Sequence, residues 1–444
     1  MSRTLHLGSI STRRERIAKL AREVPGRSLH SLCHYIDVYW LEEAFHRIRR
    51  DGAPGVDGQT WAEYNENRGA NLRDLLDRFH KGHYRAPPVR RHHIPKGDPS
   101  KGTRPIGIPT LEDKVLQKAV AMVLESIYEQ DFLDCSYGYR AGRSAHDALG
   151  ALWEGTMKVK GGWILEVDIR SFFDELDHRH LRSFLDKRVR DGVLRRTIDK
   201  WLKAGVMEEG VLSYPKSGSP QGGVISPWLA NIYLHEVIDR WYTEEVRPLL
   251  RGRSQLIRFA DDAVFVFANE RDARRVAKAL PKRLGRFGLR LHPDKTRLLD
   301  FRRDRGGPPG PPRDQGPRSF DFLGFTHYWG RSRRGTKVVK RKTAASRLSR
   351  FLSALRHWCR RYRHTKVPWQ QQQLIRKLRG HYAYYGITGN SRSLGLVHHE
   401  TERIWRKWLN RRSQKARMNW ERFGNLLRRY PLPRPRIVHS VYRP

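Results

Sequence analysis

The chain has 444 residues, enough for two or three domains with real cores, and carries 88 Lys and Arg against 46 Asp and Glu, a formal net charge of +42. That excess points to a polyanionic partner, nucleic acid first, and away from a merely solvated surface. Three scattered cysteines (Cys33, Cys135, Cys359) without a C-x-x-C pair exclude a disulfide framework and a cysteine-rich zinc site, and suit a reducing cytoplasm. No run approaches the length of a membrane span, and the N-terminus has no signal-peptide core, so a soluble cytoplasmic protein without membrane contact is expected.

In chain order, "DVYWLEEAFHRIRRDGAPGVDG" reads as a helix with Val38, Leu41, Phe45 and Ile48 on one face, stopped by Gly and Pro. "GWILEVDI" (Gly162 to Ile169) reads as a buried strand, and "SPWLANIYLHEVIDRWY" as a helix opened by Ser226 and Pro227. "LIRFADDAVFVF" (Leu256 to Phe267) reads as two apolar strands folded at Asp261 and Asp262. Residues Arg305 to Pro317, "RGGPPGPPRDQGP", must be a loop. From Arg331 onward the chain holds 31 Lys and Arg against three Asp and Glu. Helical period runs through it. Leu348, Phe351, Leu352, Leu355, Trp358, Cys359 and Tyr362 recur at three- and four-residue steps; a second pattern spans Pro368 to Tyr385, and a third carries Ile404, Trp405, Trp408 and Leu409. The Trp residues on these stripes read as core. The basic faces read as a nucleic-acid clamp, because a bundle coated in one charge repels itself unless a polyanion lies against it. Helices and strands without regular βαβ repetition suggest an α+β layout.

Two adjacent carboxylates inside an apolar strand pair repel each other and lose hydration, a cost that something positive must offset. Paired carboxylates are ligands for Mg²⁺, and Asp168, ending the other strand, offers a third. Three carboxylates holding two Mg²⁺ ions would catalyse in-line phosphoryl or nucleotidyl transfer. An Asp pair at a hairpin is also an ordinary turn signal, and on the residues alone the two readings stand side by side.

The surrounding motifs tip the balance. "FADD", "VDIRSFFDELDH" and "GSPQGGVISPWLANIYL", with "GAPGVDG", "YRAPPVRRHHIPKGDPSKGTRPIGIPTLEDKVLQ", "SYGYRAGRSAHDAL", "RLHPDKT" and "FDFLGF" in order, closely resemble the polymerase core of group II intron reverse transcriptases. "LRGHYAYYGITGNSRSLG" resembles the maturase-specific thumb, domain X. The likeness spans roughly residues 35 to 425. It implies a right-hand polymerase of fingers, palm and thumb that copies RNA into DNA and helps its intron RNA fold and splice. By the same resemblance Asp168, Asp261 and Asp262 are the catalytic metal ligands, with the carbonyl of Ile169 as a further one, for two Mg²⁺ ions that Mn²⁺ can replace. Lys96 and Arg104 clamp the triphosphate of the incoming dNTP, and Gln221 lies against it. Phe173 falls where the family places an aromatic gate that excludes a 2′-hydroxyl, with core packing beside Phe172 as the other reading. Leu323 and Gly324 match the primer grip. Lys295 faces either phosphate or solvent, while His146, Asp174 and His178 match positions read as structural.

Two departures stand out. Phe259 replaces the usual Tyr, which removes a hydroxyl but no metal ligand, and no Cys/His cluster of the endonuclease domain follows. The expected organisation is a basic extension over 1–35, fingers and palm over 36–330, an all-helical basic thumb over 331–412, and a short basic tail over 413–444. The expected activity is RNA-directed DNA synthesis on an RNA template or intron RNA from a DNA primer or target DNA, with splicing maturase activity. The alternatives are a free-standing relative in DNA repair or phage defence, and an RNA-binding maturase with a vestigial polymerase. Intact acids, Phe173 and Gln221 speak against the last. Oligomeric state is not encoded in any motif.

Overall fold

A computed structural model describes residues 2–95, 102–208, 210–214, 222–303, 319–332, 334–413 and 418–440. The fold mixes helices and sheets in two compact units, one of Met1–Ala148 with Leu165–Leu298, the other of Leu149–Ile164 with Leu299–Pro444.

The first unit is built around the helix Leu111–Tyr128, which is buried along nearly its whole length and capped by Thr110, whose side chain accepts from Asp113 N. The helix Val38–His46 starts where Asp37 accepts from Trp40 N, and it buries Leu41 and Phe45, as its pattern requires, together with Trp40 and Ala44. The basic extension over 1–35 packs on this unit. Its helix Ser2–Glu23 buries Ile10, Ile17, Ala18 and Ala21, and Arg13 and Arg14 bind Asp37 (2.6 Å) and Glu125 (2.9 Å). An apolar stripe too sparse to show in so basic a sequence ties it to the core.

Strands follow as β1 (Val89–Pro95), β2 (Thr103–Ile108), β3 (Trp163–Val167), β4 (Val206–Glu208), β5 (Val211–Ser213), β6 (Ser254–Phe259), β7 (Asp262–Phe267) and β8 (Arg297–Asp300). They form one sheet ordered β2-β1-β4-β5 and another ordered β6-β7-β3-β8, with β3 and β8 straddling the chain boundary between the units. The β1–β2 pair is antiparallel, with Ile94 opposite Arg104. The helix opened by Ser226 and Pro227 runs as an ordinary α-helix to Leu234, then widens into π-type turns over His235–Asp239 and Trp241–Val246.

In the second unit β9 (Ser319–Phe322), β10 (Phe325–Arg331) and β11 (Lys337–Thr343) make an antiparallel sheet. Four helices follow: Ala345–Arg361, Val367–Tyr385, Ser391–Leu409 and Trp420–Arg429. Leu352, Leu355, Cys359, Leu374, Leu378 and Trp405 lie in their shared core, so the periodicity picked the right face. Two expectations need correction. The region 331–412 is not all-helical, because Lys337–Thr343 buries Val339, Arg341 and Thr343 at the period of a strand and pairs with β10. Residues 413–444 are not merely a tail, since Phe423 on the helix Trp420–Arg429 is fully buried in the bundle core. The unit boundary also falls near residue 298 and recruits 149–164, where the fingers and palm were expected to run unbroken from 36 to 330. The Pro/Gly-rich stretch 305–317 lies outside the described residues. Among the described residues no helix is long and apolar enough to cross a membrane.

Candidate active site

The apolar run broken by two acids folds as a tight hairpin. Ile257 pairs with Val264, Arg258 with Ala263 and Phe259 with Asp262, which leaves Ala260 and Asp261 as the two-residue turn. Leu256 and Ile257 on one strand, and Val264, Phe265, Val266 and Phe267 on the other, are consecutive and all buried, so the pair is covered on both faces. Ala260 sits at φ +56°, a left-handed conformation that costs a non-glycine residue about 1–2 kcal/mol. Asp261 occupies the turn itself, so strand alternation does not send it away from its neighbour. Asp261 is half-buried, and Asp262, the first residue of β7, is exposed.

Asp168 follows directly on β3. The stretch 290–296 runs beside it: Arg170 N donates to Arg290 O (2.8 Å) and His292 N to Asp168 O (2.8 Å). This places Lys295 so that its Nζ contacts Asp168 Oδ2 at 2.9 Å. The exposed lysine pairs with the carboxylate, a contact that "PDKT" gave no sign of. The Asp261 carboxyl is raised above the ordinary range by burial first, then by the negative charge of Asp168, while Arg104 and Lys295 pull it back down. Two acids and two cations thus act on one another across the end of the hairpin. Part of the positive charge that the paired acids demand comes from the chain itself, through Arg104 and Lys295.

Among the described residues no group of three or more Asp, Glu, His or Cys is arranged to hold a metal by itself. Mg²⁺ rarely asks for that. It keeps several waters and substrate phosphate oxygens and takes one or two carboxylates, so the Asp168–Asp261 pair fits its donor preference.

Phe173 lies on the short helix Phe172–Glu175, entered through Ser171 at φ +41°. Phe172 is the core residue, buried against Tyr233, whereas Phe173 is half-buried and meets Phe172 edge-on at 5.4 Å. Arg104 is exposed on β2. Lys96 and Gln221 lie outside the described residues. Gly222, beside Gln221, has φ +116°, and a Cβ there would come within 2.4 Å of Gly107 O on β2. Only glycine permits that approach. The same loop is held from below by buried Gln117, whose Oε1 accepts from Val224 N (2.8 Å). Tyr139, exposed and at φ +56°, stands within electrostatic reach of Asp261, Arg104 and Asp262. Sequence reasoning passed over Gln117 and Tyr139: an amide in a helix and a tyrosine in a loop carry no local signal. Leu323 (φ +50°) and Gly324 (φ +80°), in the second unit, form the β9–β10 turn, where Tyr384 Oη donates to Leu323 O at 2.9 Å.

Comparison with known proteins bears on this site. A family model described as reverse transcriptase (RNA-dependent DNA polymerase) matches residues 94–327. Protein YkfC of Escherichia coli (strain K12) is 31% identical over 327 residues, 65% of this chain and 84% of the relative. Group II intron-encoded protein LtrA of Lactococcus lactis subsp. cremoris is 37% identical over 229 residues, 50% of this chain but 37% of the relative. Nuclear intron maturase 3, mitochondrial, of Arabidopsis thaliana is 32% identical over 87 residues, 20% of this chain and 12% of the relative.

Proposed function

We propose the function from one premise: this chain belongs to the reverse transcriptase (RNA-dependent DNA polymerase) family. The reaction is RNA-directed DNA synthesis. The chain spans only 37% of the length of LtrA, so its splicing role as a maturase is part of the proposal, supported by the intron-encoded relatives and by the basic bundle.

In this reading Asp168, Asp261 and Asp262, with the Ile169 carbonyl, hold two Mg²⁺ ions, for which Mn²⁺ can substitute. Those ions, when bound, stabilise the attacking and leaving oxygens of in-line nucleotidyl transfer. Lys295 holds and orients the Asp168 carboxylate until then. Arg104, with Lys96, binds the triphosphate as a charge-assisted donor. Phe173 offers a half-exposed ring to the sugar, with Gln221 beside the nucleotide over the close-packed Gly222 loop. Leu323 and Gly324 hold the primer strand through a turn stiffened by Tyr384. The two units correspond in this reading to fingers with palm, and to thumb. RNA template, DNA primer or target, and dNTPs are the ligands.

The observation that carries the reading is the two-residue hairpin turn that holds Asp261 within the field of Asp168, which follows β3 and is paired with Lys295. Asp261→Asn or Asp168→Asn should abolish primer extension while template–primer affinity stays within a few-fold. Extension by either variant near the wild-type rate would remove the site assignment. For the gate, single-nucleotide extension by Phe173→Ala should show relative use of rNTP rising roughly 10²-fold. Unchanged selectivity with a lower melting temperature would make Phe173 a packing residue.

A further inference from the structure

Arg258 is the one charge inside β6 with no exposed surface at all. A guanidinium has five N–H donors, and here five acceptors meet them. Nε donates to Asp239 Oδ1 (2.7 Å) and Nη2 to Asp239 Oδ2 (2.5 Å) and Ser136 Oγ (2.7 Å). Nη1 donates to Asn231 Oδ1 (3.0 Å) and to Ala260 O (2.9 Å), the carbonyl of the left-handed turn residue. Asp239 and Ser136 are themselves fully buried.

The same network reaches the turn from a second side. Asn231 Nδ2 donates to Gly138 O at 2.6 Å, and Gly138 lies so close under the hairpin that a Cβ would stand 2.4 Å from Ala260 N. Arg258 N donates to Cys135 O (2.7 Å) and Tyr137 N to Arg258 O (2.8 Å), which clamps the Ser136–Gly138 segment to β6. The turn that presents Asp261 is therefore gripped at its carbonyl by a charge and at its amide by a backbone surface.

We propose that Arg258 is a positioning residue, which sets the place of the Asp261 carboxylate by holding the Ala260–Asp261 turn in its left-handed form. Stability alone gives little reason for such a cluster, because a buried ion pair replaced by well-packed apolar groups is often neutral or stabilising. Position does give a reason: misplacing a reacting group by about 1 Å can cost about 10²-fold in rate. The inference rests on the assignment of Asp261 as a metal ligand.

The test uses the full chain. The apolar pair Arg258→Met with Asp239→Leu, and separately Arg258→Lys, are compared with wild type for melting temperature, template–primer Kd, dNTP KM and kcat. Mn²⁺ bound in a complex with dideoxy-terminated primer and dNTP is read by paramagnetic resonance. The apolar pair should melt within a few degrees of wild type, bind template–primer normally, lose kcat about 10²-fold, and bind Mn²⁺ more weakly. Adding Ala260→Gly, which eases the left-handed turn, should recover part of the loss in Arg258→Lys. Wild-type kcat and Mn²⁺ binding in either Arg258 variant would overturn the proposal, as would a rate loss that follows melting temperature alone with no rescue by Ala260→Gly. If Asp261→Asn itself extends primers, the site assignment fails. If Asp261→Asn is inactive while the Arg258 variants are fully active, only the positioning role fails.

Discussion

The core of the first unit and the bundle helices of the second use arginine in opposite ways. In the first unit Arg188, Arg140 and Arg258 are buried and paired with Asp131, Glu129 and Asp239, and their other donors go to backbone carbonyls and side-chain oxygens. In the second unit the bundle core is mainly apolar, and Arg350, Arg356, Arg360 and Arg379 stand exposed on its helices. A buried guanidinium must be matched donor by donor or it costs several kcal/mol. An exposed cluster of one sign costs through self-repulsion, and a polyanion relieves it. So arginine builds the first core and faces outward on the bundle helices, with Arg341 on β11 a buried exception, and composition alone cannot tell which.

Three measurements would sharpen or break that contrast. The largest effect is expected at Arg188, which donates to Asp131 (2.7 Å) and to Val24 O, Arg27 O and Ala21 O. Arg188→Met removes the partner of the half-buried Asp131 carboxylate and of three backbone carbonyls and should lower unfolding stability by about 3 kcal/mol. Because the guanidinium is buried and three of its bonds go to backbone carbonyls, urea titrations at low and high salt should give a similar loss. A loss that vanishes in salt would put Arg188 in the same class as the bundle arginines. Next comes the bundle. Replacing Arg350, Arg356, Arg360 and Arg379 together by Gln should leave the melting temperature alone yet weaken RNA binding roughly 10²-fold. The slope of log affinity against log salt should fall by about 0.7–0.9 for each phosphate that is no longer neutralised. An unchanged slope would mean that these charges do not face RNA.

The smallest effect separates buried acids from buried bases. Burial pushes the Asp113 carboxyl up to about 7, in contact with Tyr84 Oη, which also accepts from Trp201 Nε1 (2.8 Å). The unfolded chain releases that proton near pH ~4. Stability from this group is therefore full below about pH 4 and is lost as pH rises toward 7. Asp113→Asn should flatten the melting temperature between pH 5 and 7. In the bundle, burial pushes His381 down to about 4 while the unfolded imidazole takes up its proton near pH ~6.5, so the sign is opposite. Stability from this group is full above about pH 6.5 and is lost as pH falls toward 4, and His381→Gln should remove that loss. A slope that persists in Asp113→Asn would assign it to another group.

What the sequence made legible was local. Two apolar runs with acids between them are enough to specify a hairpin, and the 3.6 period found Leu352, Leu355 and Trp405 as core. The failures are long-range or masked by charge. Lys340 and Lys342 hid the strand Lys337–Thr343, and the helix carrying Phe423 was lost among the basic residues around it. Arg258 could have been noticed by the logic that singled out Asp261, as a charge in an apolar strand. Its partner Asp239 lies 19 residues away on a widened helix, beyond any local pattern. The same holds for Lys295, which meets Asp168 across 127 residues of chain.

The two-residue turn also works as a ruler. With Phe259 opposite Asp262, adding or deleting one residue between them would shift β7 by one step against β6 and exchange its two faces. Val264 and Val266 would trade places with Phe265, and Asp261 would leave the turn. Letters at this point can change without moving the register. Length cannot. Evolution at the hairpin should therefore run by substitution alone, with insertions admitted only outside the stretch between Ser254 and Phe267.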